Sequence, residues 1–285
     1  MKYGINLLLW TGDDTEERML PVYDSLAEMG YDGVELTIFG GEPDDYAQLG
    51  KRLDALGLER TAVAIRNPED DPISPDAAIR KQAVAAMKHT FDCAEAAGVS
   101  LIGGPFYAAI GQFSGEPPSG EEWKRSCEVL AEVAGDAKSR DITLAMEFLN
   151  RFEIYLLNTA EDTRRMAIET GFDNIGVHYD TFHANIEEKN PAAAIGGCAD
   201  RLFHFHVSEN DRSTPGQGQV RWKETFDALH ATGYDEWLTI EAFGGAIQEL
   251  AAATKIWRSM FESEEQLARD GLAFVKAEWS APTGA

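Results

Sequence analysis

The hydrophobic and polar positions along the chain repeat in one unit. A stretch with helical period ends on a glycine, an apolar or aromatic residue follows, and a short apolar or alternating run comes next. The unit occurs as LAEMGYDGVEL, LDALGLERTAVAI, AEAAGVSLIGG, AIETGFDNIGVHYD and LHATGYDEWLTIEAF, with Gly30, Gly57, Gly98, Gly171 and Gly233 at the junctions. Glycine just past a helix end accepts the left-handed conformation that closes a helix, so each junction reads as helix end, then strand. Strands are predicted to start near Tyr3, Gly33, Arg60, Ser100, Ile142, Asn174, Leu202 and Trp237. Helices are predicted to start near Thr15, Asp44, Ser74, Ser119, Thr159, Pro191, Trp222 and Ala246. Eight strand–helix units in 285 residues predict a single (β/α)8 barrel domain over residues 1–285. The segment SEEQLARDGLAFVKAEW adds an extra C-terminal helix against that barrel. A doubly wound sheet would place a glycine-rich phosphate loop after its first strand, and LLLWTGDDTEE contains none.

In such a barrel, alternate strand residues face the axis and chemistry gathers at the C-terminal strand ends. The segment RLFHFHVSENDR puts Phe203, Phe205 and Val207 toward the helices and Leu202, His204 and His206 toward the axis. The fifth strand points Thr143, Ala145 and Glu147 inward, the sixth Gly176, His178 and Asp180, and the eighth Trp237, Thr239 and Glu241. Four consecutive strands therefore end in Glu147, Asp180, His206 and Glu241 at one mouth. Three carboxylates sharing a low-dielectric space repel one another, and a divalent cation resolves the conflict. An oxygen-rich set with one nitrogen suits Mn²⁺, Mg²⁺ or Co²⁺ better than structural zinc. A single member of the set would ordinarily be an ion pair, as Glu147 with Arg151; four together read as a metal site. His204 and His178 lie deeper and read as packed histidines or supports behind the site. Glu35, at the end of GVEL, also points inward and is expected to reach the same region. His89 and His230 fall on helices and carry no signal.

Charge and cysteine content then narrow the partners. Net charge is −24, from 49 acidic and 25 basic residues, which opposes binding to nucleic acid or anionic lipid. No apolar run approaches a membrane span, and INLLLW reads as a first strand rather than a signal peptide. Cys93, Cys127 and Cys198 are few, odd in number and without C-x-x-C spacing, which fits a reducing cytoplasm rather than a disulfide framework.

The stretches EFLNRFEIYLLNT, HYDTFHANIEE, HFHVSENDR, PGQGQVRW and TIEAF, in that order, resemble the ketose 3-epimerase family. That family comprises the D-tagatose, D-psicose and L-ribulose 3-epimerases within the xylose-isomerase-like superfamily. The resemblance is most specific from Glu147 to Phe243. It implies that Glu147, Asp180, His206 and Glu241 ligate a divalent metal, Mn²⁺ foremost, and that Glu147 and Glu241 are the acid–base pair. It implies that Glu153, His183 and Arg212 hold the ketose oxygens around C1 to C3, and that the protein is a homodimer or homotetramer. The chemistry is consistent: inverting C3 of a ketose needs a proton removed beside the C2 carbonyl and returned on the other face, which two opposed carboxylates beside a cation can do. Read without the resemblance, Glu153 could pair with Arg151, His183 could cap a turn, and Arg212 could pair with Glu209 or Asp211. Gly216 and Gly218 read as loop-shaping residues, not a phosphate cradle.

The N-terminal half departs from the family pattern. AIRNPEDD places Arg66 and Asn67 near the mouth, where Arg66 could read a carboxylate, a phosphate or a hydroxyl. The long loop GPFYAAIGQFSGEPPSG, with Phe106, Tyr107 and Phe113, is a candidate lid. The competing readings are an aldose–ketose or hydroxypyruvate-type isomerase or a keto-sugar dehydratase on the same metal, a metal-dependent DNA-repair endonuclease, and a non-catalytic sugar-binding barrel. Six histidines and the acidic charge speak against the endonuclease. A binding barrel would not need two opposed glutamates.

Overall fold

The computed structural model describes residues 1–245 and 247–281. Eight parallel strands close into a barrel in sequence order, β1 pairing with both β2 and β8. They are β1 Lys2–Asn6, β2 Gly33–Thr37, β3 Glu59–Val63, β4 Leu101–Gly104, β5 Thr143–Glu147, β6 Ile175–Asp180, β7 Leu202–Val207 and β8 Trp237–Ile240. Around them run α1 Leu20–Met29, α2 Pro43–Leu56, α3 Ala77–Ala97, α4 Gly120–Ser139, α5 Ala160–Glu169, α6 Thr181–Glu187, α7 Pro191–Gly197, α8 Trp222–Thr232, α9 Gln248–Thr254 and α10 Glu264–Ser280. The (β/α)8 barrel read from the pattern is the fold. Helix α10 is the expected extra C-terminal helix, and it packs on β8 and α8.

The repeat explains the elements. Gly30, Gly57, Gly98 and Gly233 are left-handed caps of α1, α2, α3 and α8, and Gly171 is left-handed one residue past the cap of α5. Ser119, Thr159 and Ser263 cap α4, α5 and α10 with their side chains. Outward strand residues such as Val34, Ile102, Leu144, Val177, Phe205 and Leu238 are buried against the helices.

Some predicted boundaries move. The first helix was expected near Thr15, but α1 begins at Leu20, with Pro21 in its first turn and a 3-10 turn over Glu17–Met19 before it. Helix α6, directly after β6, was not predicted: its two turns are opened by the Asp180 cap rather than marked by an apolar face. The predicted start at Ala246 lies outside the described residues.

Toward the N-terminal end, the barrel interior is filled from one side. A Cβ on Gly33 would meet the Trp237 ring at 2.6 Å, and one on Gly4 would meet it at 3.2 Å. A Cβ on Gly103 would meet His178 Nδ1 at 2.8 Å. Small residues on β1, β2 and β4 thus make room for Trp237 of β8 and His178 of β6, and polar side chains occupy the layers above. All three cysteines are free. Among the described residues, no helix is long and apolar enough to cross a membrane.

Candidate metal centre and active site

The register of the strands builds the site. Glu147 on β5 lies level with His178 on β6, and Asp180 lies level with His206 on β7. His206 lies level with Thr239 on β8, two residues before Glu241. Successive inward residues therefore rise toward the mouth, and Glu147, Asp180, His206 and Glu241 converge there. All four are buried, and one ligating atom from each lies within 4.8 Å of the others.

Asp180 and His206 are held from behind. Asp180 caps α6: its Oδ1 accepts the backbone N–H groups of Phe182 and His183, at 2.6 and 3.1 Å. Its Oδ2 is left facing His206 Nδ1 at 3.5 Å. His206 Nδ1 also lies 3.5 Å from Glu241 Oε1 and, among the described residues, has no hydrogen-bond partner. An unpartnered buried nitrogen facing three carboxylates is the donor set a hard divalent cation takes, so the residues present fit such an ion.

Arg212 supplies fixed positive charge beside the cluster. Its Nη1 donates to Glu241 Oε2, to Ser208 Oγ at 3.1 Å and to Asp180 Oδ2 at 3.4 Å. The guanidinium lies between two rings, 3.9 Å from the centre of Phe182 and 4.6 Å from that of Phe243. Its backbone is left-handed, φ 63°, a costly conformation for a side-chain-bearing residue. Two backbone bonds hold it there: its N–H donates to Glu209 O, and its carbonyl accepts from Phe243 N–H, both at 3.0 Å. The alternative pairing of Arg212 with Glu209 or Asp211 is not formed. Glu209 is itself buried and accepts from the backbone of Gly216, Gln219 and Val220 and from Trp222 Nε1. It organises the loop after β7. Gly218 belongs to the same arrangement, since a Cβ there would strike the Glu209 carboxyl at 2.5 Å.

His183, on α6, presents an ordered imidazole. Its Nδ1 lies 3.0 Å from the Asn150 backbone nitrogen. Nε2 lies 3.0 Å from Arg212 Nη2 and 3.6 Å from Glu147 Oε1. Burial, with Arg212 adding to it, pushes His183 down to about 3, so the ring is neutral. His183 thus stands between Arg212 and Glu147. Glu153 accepts from Asn150 Nδ2 at 2.7 Å, so Asn150 links it to His183. Arg151 pairs with neither Glu147 nor Glu153; it forms a forked pair with Glu187.

The two glutamates differ in proton affinity. Burial, then the nearby Glu241 carboxylate, pushes Glu147 well above the usual carboxylate range. Burial acts on Glu241 too, but Arg212 and His206 outweigh it and hold Glu241 at about 2. One cluster therefore contains a carboxyl that favours its proton and a carboxylate that does not.

Other expectations are sharpened or corrected. Glu35 does reach the site: it accepts from both His204 and His206. Phe106 and Tyr107 are core residues rather than lid residues, and Tyr107 OH donates to Leu157 O. Only Phe113 of the three is exposed, at 50 %, with its ring 6.0 Å from that of Tyr155. Arg66 is buried and paired with Asp70 at 2.8 Å, so its charge is already answered. His89 and His230 lie away from the cluster, bonded to Gly41 O and Trp279 O. Sequence reasoning missed Asn6, Thr61, Asn150 and Ser208, whose roles appear only when distant strands meet.

Comparison with known proteins agrees with this geometry. Residues 23–278 match the family described as xylose isomerase-like TIM barrel. L-ribulose 3-epimerase of Mesorhizobium japonicum is 34% identical over 277 residues, covering 96% of this chain and 93% of that protein. A probable ketose 3-epimerase of Synechocystis sp. is 30% identical, covering 97% of this chain and 96% of its own length. The crystal structure of D-allulose 3-epimerase from Methylomonas sp. in complex with D-allulose superposes with a TM-score of 0.92 at 28% identity, covering 98% of this chain and 97% of that one. With a family match across most of the barrel and near full-length similarity to curated epimerases, this chain belongs to the ketose 3-epimerases, isomerase-class enzymes of the xylose isomerase-like TIM barrel family.

Proposed function

We propose that this protein is a metal-dependent ketose 3-epimerase that interconverts the C3 epimers of a free ketose. The observation that carries the reading is the convergence of Glu147, Asp180, His206 and Glu241 in one buried cluster, in a chain similar over nearly its full length to ketose 3-epimerases. Glu147, Asp180, His206 and Glu241 would hold a divalent cation, Mn²⁺ foremost, with Mg²⁺ or Co²⁺ able to substitute. When bound, that cation supplies Lewis acidity at the ketose oxygens and so acidifies the C3 proton. One glutamate removes that proton from one face of the sugar, and the other delivers a proton to the opposite face. The substrate passes through a cis-enediolate, whose developing negative charge meets the guanidinium of Arg212, with His183 beside it. Glu153, fixed through Asn150, accepts from a ketose hydroxyl.

A neutral substrate is favoured over a phosphorylated or acidic one. Arg66, the cation once expected to read such a charge, is already paired with Asp70. The names of the relatives point the same way, since L-ribulose and D-psicose (D-allulose) are uncharged ketoses.

The test is product analysis on metal-stripped enzyme with D-fructose, D-tagatose, D-psicose and L-ribulose. The C3 epimer of at least one is expected to form with added Mn²⁺ and not without it. Conversion to an aldose, or equal rates with and without metal, would count against the proposal.

A further inference from the structure

Beneath the ligand cluster lies a buried carboxylate that the reaction as proposed does not use. Glu35 sits on β2, on the far side of the barrel from β6, and is fully enclosed. Four groups from three other strands converge on its two oxygens. Oε1 accepts from His206 Nε2 at 2.6 Å and from Asn6 Nδ2 at 3.0 Å. Oε2 accepts from His204 Nε2 at 2.6 Å and from Thr61 Oγ1 at 2.8 Å.

The direction of each bond follows from groups that cannot reverse. The backbone N–H of Leu8 donates to Asn6 Oδ1 at 2.8 Å, which turns the Asn6 amide nitrogen toward Glu35. A carboxylate already accepting from Asn6 and Thr61 can only accept again, so both imidazoles must place a proton on Nε2. The neutral imidazole that ligates a cation carries one ring proton. The Nδ1 of His206, on the opposite side of the ring, is then a free lone pair aimed between Asp180 and Glu241. The ring is also braced against rotation. His178 stands edge-on to it with centroids 3.9 Å apart, and His204 stands edge-on at 5.1 Å.

We propose that Glu35 is a positioning residue for the metal centre: its bridge between His204 and His206 fixes the Nε2–H tautomer and the ring orientation that present His206 Nδ1 to a divalent cation. The inference rests on the metal-site reading above. It also answers why β7 carries two inward histidines. His204 completes the bridge beneath the ligand and is not itself a ligand. Fixing a ligand imidazole through a carboxylate ordinarily changes metal affinity, not only catalysis.

Affinity is therefore the readout. Glu35→Gln keeps the shape but presents one acceptor and one donor. It can satisfy one Nε2–H and must oppose the other. Mn²⁺ binding to the full-length protein, followed by the electron paramagnetic resonance signal of the free ion, is expected to weaken by roughly 10–100-fold. In a His206→Ala background the same Glu35→Gln change is expected to cost no further affinity, because the residue it acts through is gone. Thr61→Val, which removes one donor to Glu35 and leaves both histidines in place, is expected to shift Mn²⁺ affinity in the same direction by less. It keeps the test open if Glu35→Gln does not fold. Unchanged Mn²⁺ affinity in the folded variants, or an equal loss with and without His206, would overturn the proposal. If both affinity results hold and no ketose is epimerised, the failure lies with the proposed activity and not with Glu35.

Discussion

Glu147→Gln and Glu241→Gln are each expected to lower ketose epimerisation by about 10²–10⁴-fold at saturating Mn²⁺, and to fail on opposite faces of the sugar. Glutamine keeps an oxygen near the cation but cannot accept a proton at that oxygen under working conditions. Saturating metal separates this loss from weaker ion binding, since both residues belong to the cluster that could hold the ion. If each glutamate serves one face, either variant still contains one working base. It should wash the C3 proton of one epimer into solvent without inverting the centre, and the two variants should do so with opposite epimers. Solvent exchange measured separately on each epimer checks this. Loss of exchange with both epimers in both variants would point to a single base and contradict the two-face assignment.

Arg212→Lys is expected to reduce kcat/KM by about 10²–10³-fold, as for loss of a preorganised donor at a developing negative charge. Lysine keeps the charge but loses the plane and the second nitrogen. The guanidinium uses its plane between Phe182 and Phe243, Nη1 on Glu241 and Asp180, and Nη2 beside His183. A point charge can replace only part of this. Arg212 also holds Glu241 ionised, so the fall should be largest in kcat. Steady-state kinetics on the best ketose of the panel decides it. A variant with wild-type kcat and a raised KM alone would show that Arg212 merely binds the sugar.

The strands, and the direction in which each inward residue points, could be read from the chain because period two and helix-ending glycines are local signals. The convergence of Glu147, Asp180, His206 and Glu241 could be read for the same reason: each lies at, or one residue from, the C-terminal end of a strand, and closure of the barrel brings strand ends together. What could not be read was which buried partner each residue finds. Arg151 lies close in sequence to Glu147 and Glu153 yet pairs with Glu187, 36 residues away. Arg212 is adjacent to Asp211 and three residues from Glu209, yet its bonds go to Glu241 and Asp180. The bridge at Glu35 joins residues 169 and 171 positions apart, a separation no periodicity encodes. The misplaced start of α1 and the unseen α6 have a different cause. Proline and a 3-10 turn set the former, and the latter is two turns nucleated by the Asp180 cap rather than by an apolar face.

The most direct test of ketose 3-epimerisation is where solvent deuterium enters the sugar. Metal-stripped protein is placed in D₂O with D-fructose, D-tagatose, D-psicose or L-ribulose, with and without Mn²⁺, and followed by NMR. Deuterium at C3, together with the C3 epimer and only when Mn²⁺ is present, is the expected result. Deuterium at C1 with an aldose appearing, or no exchange with any of the four sugars, would contradict it.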